Sequence, residues 1–126
     1  MNREIKFRVW DRKIKCWVNN DDLLFLQSSN GNFECYRHKL DSPDDYIVQQ
    51  YTGIKDFQGK EIYEGDIVEM DNSLMVIEYS EEFGAFVAEV YKVDEEETEQ
   101  SYHYYADEYR YCKVIGNIFE NKELIL

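Results

Sequence analysis

The chain has 126 residues, 44% of them hydrophobic and 33% charged, with one proline and six glycines, so the composition indicates a folded domain and excludes low-complexity disorder. Its 27 acidic side chains outnumber 14 basic ones and leave a net charge of −13, which disfavours nucleic acid as a partner because phosphate backbones are repelled. We find no signal peptide and no apolar run near the ~18 residues that span a bilayer, so we expect a soluble protein of the cytoplasm.

The first predicted element is a strand over residues 4–10, where apolar and basic side chains alternate with the period of two that is typical of a half-buried strand. A polar turn over residues 11–15 leads to a second β-rich segment over residues 16–18. The pattern therefore predicts an N-terminal hairpin in which Trp10 and Trp17 are near neighbours.

Residues 19–47 give the least regular pattern, and the pairing of their strands stays open. A short apolar run at 23–26 and a β-rich segment at 33–36 are separated by turn-forming residues. After a loop over residues 41–45, a β-rich strand over residues 46–51 is predicted to end before a turn at glycine 53.

The second half of the chain favours a series of short antiparallel strands. A hairpin tip is predicted at residues 56–59 and a tight corner at residues 64–66, both marked by glycine and aspartate. Strands are then expected over 66–70, 74–79 and 85–93, and the last has Phe86, Ala88 and Val90 on one face.

The remaining segments complete a mostly β fold, either all-β or α+β. An acidic run covers residues 94–100, one or two helical turns are predicted within 102–109, and a strand is predicted over 111–119. We expect a single domain over residues 1–126, in which an N-terminal β-hairpin lobe (1–60) packs with a small SH3-like antiparallel barrel (61–126).

Three blocks of sequence resemble one protein family. Residues 5–11 read IKFRVWD, residues 50–68 read QYTGIKDFQGKEIYEGDIV and residues 114–121 read VIGNIFEN. Their order and content resemble the YopX-like family of small phage and prophage proteins. The resemblance implies a largely β protein that is encoded by a mobile element, tends to self-associate and has no activity that could be transferred to named residues.

The sequence lacks the common catalytic and metal-binding motifs. It contains no nucleophile elbow, no P-loop and no dinucleotide fingerprint, and His38 and His103 do not have the spacing of paired metal ligands. Cys16, Cys35 and Cys112 include no C-x-x-C pair and are predicted to be buried thiols. We therefore expect no catalysis, no cofactor and no metal.

Four carboxylates lie close together in the sequence, at Asp56, Glu61, Glu64 and Asp66. Such a group can hold a divalent cation or act as acid and base if a cleft brings its members together. The favoured interpretation is different, because aspartates beside Gly59 and Gly65 commonly cap turns, while the two glutamates are predicted at exposed positions.

Aromatic residues are the strongest signal outside the family blocks, with 11 tyrosines in the chain. Tyrosine is common at binding hot spots because its ring gives a large contact area and its hydroxyl tolerates a wet rim. The same rings could instead complete a small core, and the two interpretations have equal weight. The candidate binding residues are Trp10, Trp17, Tyr102, Tyr104, Tyr105 and Tyr109.

Charge is distributed unevenly, with basic residues near the N-terminus and acidic ones over residues 81–108. This asymmetry allows a head-to-tail or isologous contact between copies, so a homo-oligomer is expected. The predicted function is binding of a host or phage protein, or self-assembly. Two alternatives stay open: an acidic DNA mimic that inhibits a host nucleic-acid enzyme, and a nucleic-acid-binding barrel that uses the basic N-terminal hairpin.

Overall fold

The computed structural model describes residues 4–18, 25–29, 32–36, 45–93 and 103–126. Strands dominate these residues, beside one short helix, α1 (Ala106–Tyr109), and a 3-10 turn at Lys122–Ile125. The predicted mostly β fold class is confirmed. The strands in chain order are β1 (Phe7–Asp11), β2 (Cys16–Trp17), β3 (Phe25–Ser29), β4 (Asn32–Tyr36), β5 (Tyr46–Lys55), β6 (Glu61–Tyr63), β7 (Asp66–Met70), β8 (Ser73–Ser80), β9 (Ala85–Val93), β10 (His103–Tyr104) and β11 (Lys113–Asn117).

The chain divides into two compact units, an N-terminal unit (Ile5–Gln50) and a C-terminal unit that contains Tyr51–Leu126. In the N-terminal unit β1 pairs antiparallel with β2 and with the first half of β5. Its small core contains Val9 and Val18, with Tyr46 and Val48 packed against them. The hairpin predicted at the N-terminus is confirmed.

The strands β3 and β4 form an antiparallel hairpin whose register runs from the pair Phe25 and Tyr36 to the pair Ser29 and Asn32. Within residues 19–47, whose strand pairing the sequence leaves open, these two strands therefore pair with each other. The predicted loop at residues 41–44 and the acidic run at 94–100 lie outside the described residues.

The C-terminal unit contains an antiparallel sheet with the order β10-β9-β8-β7-β11. Consecutive hairpins join β7, β8 and β9, as the turn residues predict. One of the two larger sheets of the fold curls into a half-barrel, and the more specific SH3-like arrangement stays a prediction. The core of the unit consists of Ile62, Val68, Met75, Ile77, Ala88, Tyr109, Cys112 and Val114.

One strand differs from the sequence prediction. β5 does not end before Gly53 but continues to Lys55. Gly53 takes a φ of 87° and the register with β6 shifts between Tyr51 and Lys55, so the chain bulges where a turn is predicted. The helical turn predicted within residues 102–109 is confirmed as α1, and β10 before it pairs with β9.

Candidate binding surfaces

Asp56 is a buried carboxylate that joins the β5–β6 hairpin tip to β11. The backbone N–H groups of Gln58 and Lys60 donate to its Oδ1 at 2.9 Å each, and the N–H of Val114 donates to its Oδ2 at 3.0 Å. Burial alone would raise its pKa, but these hydrogen bonds and the charge of Lys60 together hold the pKa of Asp56 below its ordinary value. The carboxylate is therefore ionised and has a structural role.

Asp66 has a similar role at the next corner of the chain. It is buried, and its Oδ2 accepts a hydrogen bond of 2.7 Å from the N–H of Tyr63. The turn-capping interpretation of both aspartates is thus confirmed. Glu61 and Glu64 are half-buried and less exposed than predicted, and no group of three potential metal ligands occurs among the described residues.

The closing block of the sequence also forms a local network. Asn117 Oδ1 accepts hydrogen bonds from the N–H groups of Phe119 and Glu120, at 3.0 and 2.9 Å. The side chain of Asn121 in turn accepts the N–H of Asn117 at 3.2 Å and lies directly over Gly116. These residues hold the turn after β11 in place.

The two tryptophans predicted to bind a partner are paired with each other in the N-terminal unit. Trp10 and Trp17 are directly opposite across β1 and β2, with ring centroids 4.9 Å apart in an edge-to-face arrangement. Trp10 is only 7% exposed, and the guanidinium of Arg8 lies 4.4 Å from the centre of the Trp17 ring. The same guanidinium donates two hydrogen bonds, of 3.1 and 2.9 Å, to Gln49 Oε1, so this cation already has partners.

The predicted tyrosines fall into different environments. Tyr102 lies outside the described residues, Tyr104 is half-buried against the core, and Tyr105 is 40% exposed. Tyr109 is 1% exposed, and burial raises its pKa to about 12, although a side-chain hydrogen bond with Thr52 opposes this shift. Among the three described tyrosines of this set, Tyr105 is the most exposed.

Tyr105 belongs to a group of aromatic residues that we call the acidic aromatic cluster: Tyr79, Phe83, Phe86 and Tyr105, with the neighbouring carboxylates Glu81 and Glu82. Tyr79 and Phe86 are opposite each other on β8 and β9, with ring centroids 5.3 Å apart. Phe83, in the turn between these strands, packs edge to face on Tyr105 at 5.5 Å. Three of the rings stay 40 to 52% exposed.

Sequence reasoning missed this cluster, since only one of its four rings was among the candidates. The signal that could have found it is the β8–β9 hairpin, because its two strands are predicted and their register sets Tyr79 beside Phe86. The contact with Tyr105 has no local signal, because β10 and α1 bring this residue back from more than 20 positions away.

A second group, which we call the basic aromatic patch, lies where the β5–β6 tip meets the loop before β11. Its rings are Phe57 and Tyr111, which are 62% and 70% exposed. The N–H of Phe57 donates to the carbonyl of Cys112 at 3.2 Å, so the two segments are adjacent. Four exposed cations lie near these rings in the chain: Lys55, Lys60, Arg110 and Lys113. Two of them have a glutamate directly opposite on the neighbouring strand, Lys55 opposite Glu61 and Lys113 opposite Glu69, so the positive charge of the patch is partly compensated.

Glu78 on β8 and Glu89 on β9 lie diagonally opposite each other on one face of the sheet. The hydroxyl of Tyr91 donates to Glu78 Oε1 at 2.9 Å. Burial and a hydrogen bond with Glu89 raise the pKa of Glu78, and the bond from Tyr91 lowers it in part.

Comparisons with known proteins place this chain in a family. The model of the family described as YopX protein matches residues 6–126. The chain belongs to the YopX family. The crystal structure of protein EF1440 from Enterococcus faecalis is similar to this chain, with 25% sequence identity and a TM-score of 0.58 over 99% of this chain and 100% of that chain. The comparison with curated proteins found no match.

The sequence blocks that resemble the YopX family account for the structure of the turns. Asp56, Asp66 and Asn117 all lie within these blocks, and each accepts backbone hydrogen bonds. The acidic aromatic cluster lies between the blocks, at residues 79–105. In this YopX-family chain the blocks therefore form the scaffold, and the exposed rings of the cluster lie on segments that the blocks leave out.

Net charge is confined to one half of the chain. Residues 1–50 carry eight basic and eight acidic side chains, whereas residues 51–126 carry six basic and 19 acidic ones. Four of those six basic side chains belong to the basic aromatic patch.

In the part of the chain that the structure describes, the helices lack the length and apolar character needed to cross a bilayer.

Proposed function

We propose that this protein acts by binding another protein through the acidic aromatic cluster, without catalysis. The observation that carries the proposal is the exposure of three rings, Tyr79 at 52%, Phe83 at 43% and Tyr105 at 40%, while each is held by an edge-to-face contact. Rings that are already fixed lose little side-chain entropy on binding, so most of the gain from burying them is retained.

The charge beside the rings supports a cationic partner. Glu81 and Glu82 are exposed and immediately precede Phe83, and Asp107 and Glu108 are exposed and follow Tyr105. Aromatic faces next to carboxylates suit arginine or lysine, because the ring attracts the cation and the carboxylate pairs with it. The proposed partner is therefore a protein surface that presents basic side chains together with apolar ones.

Fluorescence anisotropy tests the proposal with a labelled peptide of alternating arginine and leucine as the probe. We expect saturable binding to the wild type and at least about tenfold weaker binding to Phe83→Ser/Tyr105→Ser, since buried aromatic anchors dominate such contacts. Leu126→Ser is the matched control, because Leu126 is 79% exposed and lies outside the cluster. Equal binding by the double variant and the wild type would contradict the proposal.

The acidic DNA mimic is a second candidate, favoured by the 19 acidic side chains in residues 51–126. A mimic depends on charge spread over a surface, so its binding should fall steeply with salt and should not depend on individual rings. The same titration, repeated at rising salt, separates the two: binding that falls steeply with salt and is unchanged in Phe83→Ser favours the mimic, and a loss of binding with Phe83→Ser favours the aromatic contact. Phage or prophage origin and cytoplasmic location stay predictions.

A further inference from the structure

We infer that Glu78 and Glu89 form a proton-dependent clasp between β8 and β9, in which the two carboxyl groups share one proton in acid solution and repel each other once that proton is lost. The inference goes beyond the proposed function and does not rest on it. Successive residues of a strand point to opposite faces, so the clasp lies on the other face of β8 from Tyr79. The inference is carried by two half-buried carboxylates that lie side by side across the strands.

The register of the two strands brings the carboxylates together. Glu78 is directly opposite Val87, and Glu89 is directly opposite Val76, so the two glutamates are diagonal neighbours on one face. Diagonal neighbours lie about 7–8 Å apart, a distance that long side chains bridge. Val76 and Val87 are only 2% and 6% exposed, so each carboxylate lies beside a buried apolar side chain. The cost of ionising both carboxyl groups is therefore higher here than in water.

The charge of the pair has no cation to cancel it in the described part of the chain. Among these residues, no ion pair joins Glu78 or Glu89 to a basic side chain. The hydroxyl of Tyr91 donates to Glu78 Oε1 at 2.9 Å, which stabilises the carboxylate but adds no positive charge. A hydrogen bond between two carboxyl groups needs a proton on one of them, because ionised carboxylates only accept. A proton from the solvent is therefore what joins the pair.

Other titratable residues belong to neighbouring positions of the sheet. At the position opposite Glu89, β10 has His103. Opposite Leu74, β7 has Glu69 and β9 has Lys92, whose charges have opposite signs. Histidine ordinarily titrates near neutral pH, so His103 is a second source from which a pH dependence of the hairpin can arise. The experiment therefore has to separate the carboxylates from this histidine.

The surroundings determine the direction in which protons affect the clasp. Burial and the hydrogen bond with Glu89 raise the pKa of Glu78, and the hydrogen bond from Tyr91 opposes this shift. A group whose pKa is raised by folding contributes stability that is fully present below its ordinary value, which is 4.5 for Glu78. This stability is lost as pH rises through the folded pKa. The clasp therefore holds β8 and β9 together in acid and weakens toward neutral pH.

Carbon-13 NMR of the glutamate carboxyl groups tests the clasp on the intact chain. We expect Glu78 of the wild type to titrate above 4.5. Glu89→Gln should lower this midpoint, because it removes a neighbouring negative charge and places an amide donor beside the carboxylate. Tyr91→Phe should raise the midpoint, because it removes the hydroxyl that stabilises the ionised form. Glu82→Gln removes the same charge at an exposed position in the turn of this hairpin, so this control should leave the midpoint unchanged.

Urea denaturation at several pH values gives a second readout. The side-chain amide of the Glu89→Gln variant donates to Glu78 without a proton from the solvent, so this variant keeps the clasp at neutral pH. We expect the urea midpoint of the wild type to fall relative to this variant as pH rises from about 4.5 to neutral. The difference between the wild type and Glu82→Gln should stay nearly constant. The fall should persist in a His103→Gln background, because the histidine is not its source.

A wild type in which Glu78 titrates at or below its ordinary value would overturn the inference, and so would a midpoint that Glu89→Gln leaves unchanged. A urea-midpoint difference that is constant with pH, or that disappears in the His103→Gln background, would also overturn it. If Glu89→Gln does not fold, Tyr91→Phe decides the question, because a midpoint that falls or stays unchanged in that variant contradicts the clasp. These measurements involve no binding partner, so their failure leaves the proposed function standing.

Discussion

At Asp56 a single carboxylate connects residues that are 58 positions apart in the chain. Its two oxygens accept three backbone N–H groups, which would otherwise be left without partners at a tight hairpin tip and at the start of a buried strand. A short acidic side chain suits this position because it accepts several hydrogen bonds and donates none.

We expect Asp56→Asn to lower the free energy of unfolding by about 2 kcal/mol, since hydrogen bonds to a charged acceptor contribute about 1.5–3 kcal/mol. In addition, the NH2 group of asparagine would face one of the backbone N–H groups that the carboxylate accepts, and two donors cannot bond to each other. Urea denaturation followed by tryptophan fluorescence measures the change. Asp107→Asn, at an exposed position in α1, should change stability by less than about 0.5 kcal/mol. Equal effects of the two substitutions would show that the Asp56 network contributes nothing.

The same carboxylate should make stability depend on pH. Because the pKa of Asp56 is lower in the folded chain than its ordinary value of 3.8, its contribution is fully present above that value and is lost as pH falls through the folded pKa. The stability difference between wild type and Asp56→Asn should therefore be constant near neutral pH and shrink in acid. Unfolding curves at several pH values below 5 measure this difference.

The cysteines differ in exposure, and only part of their prediction is confirmed. Cys112 is buried as predicted, but Cys16 is exposed, because it begins the short strand β2 on the outer side of the hairpin. Burial raises the pKa of Cys112 to about 12. We expect iodoacetamide at neutral pH to modify Cys16 and to leave Cys112 unmodified until the chain is unfolded, and peptide mass spectrometry measures both.

At the scale of single elements, the β7–β8 hairpin has the geometry that asparagine and glycine favour. Asp71 and Asn72 take φ angles of 49° and 64°, and the flanking residues Met70 and Ser73 pair directly. We expect Asn72→Gly to raise the free energy of unfolding by about 0.5 kcal/mol, because glycine takes positive φ without a steric penalty. Asn72→Val should lower it by about 1 kcal/mol or more, and a stability gain with valine would contradict this account. Thermal unfolding by circular dichroism measures both.

The turn after β11 depends on the absence of a side chain at Gly116. A Cβ there would lie 2.5 Å from Oδ1 of Asn121, which accepts a hydrogen bond from Asn117. We expect Gly116→Ala to lower the free energy of unfolding by about 1–3 kcal/mol through this clash. In an Asn121→Gly background, which also removes the Asn121 Cβ that would lie 2.8 Å from the new Cβ, the same change should cost much less, and a double-mutant cycle measures the coupling. Additive effects would exclude the clash as the cause.

At the scale of the whole molecule, the excess of negative charge lies in residues 51–126. Repulsion among 19 acidic side chains opposes compaction, and raising ionic strength from about 0.01 M to about 0.1 M shortens the screening distance from about 30 Å to about 10 Å. We expect the urea midpoint at low protein concentration to rise over this range, and to rise less in Glu81→Gln/Glu82→Gln. A midpoint that falls with salt would contradict this expectation.

Part of the candidate surface could be predicted from local sequence, and part could not. The tyrosine-rich segment before β11 includes Tyr105, and Phe83 lies in the turn between two predicted strands. Whether a given tyrosine is exposed depends on the side of the helical turn on which it lies. A single turn is too short to show the repeat of apolar residues that would indicate this side. Tyr109 is consequently buried in the core, and Tyr105 at the start of the same turn is not.

The sequence by itself determined the strands with clear alternation, the glycine and aspartate turns, and the family, because these depend on near neighbours and on ordered motifs. Only the tertiary structure decided that Asp56 binds Val114, that Tyr105 contacts Phe83, and that the backbone of Phe57 meets that of Cys112. The physical reason is that these contacts join distant segments. Their partners are chosen by the packing of the whole unit, which no local pattern of residues records.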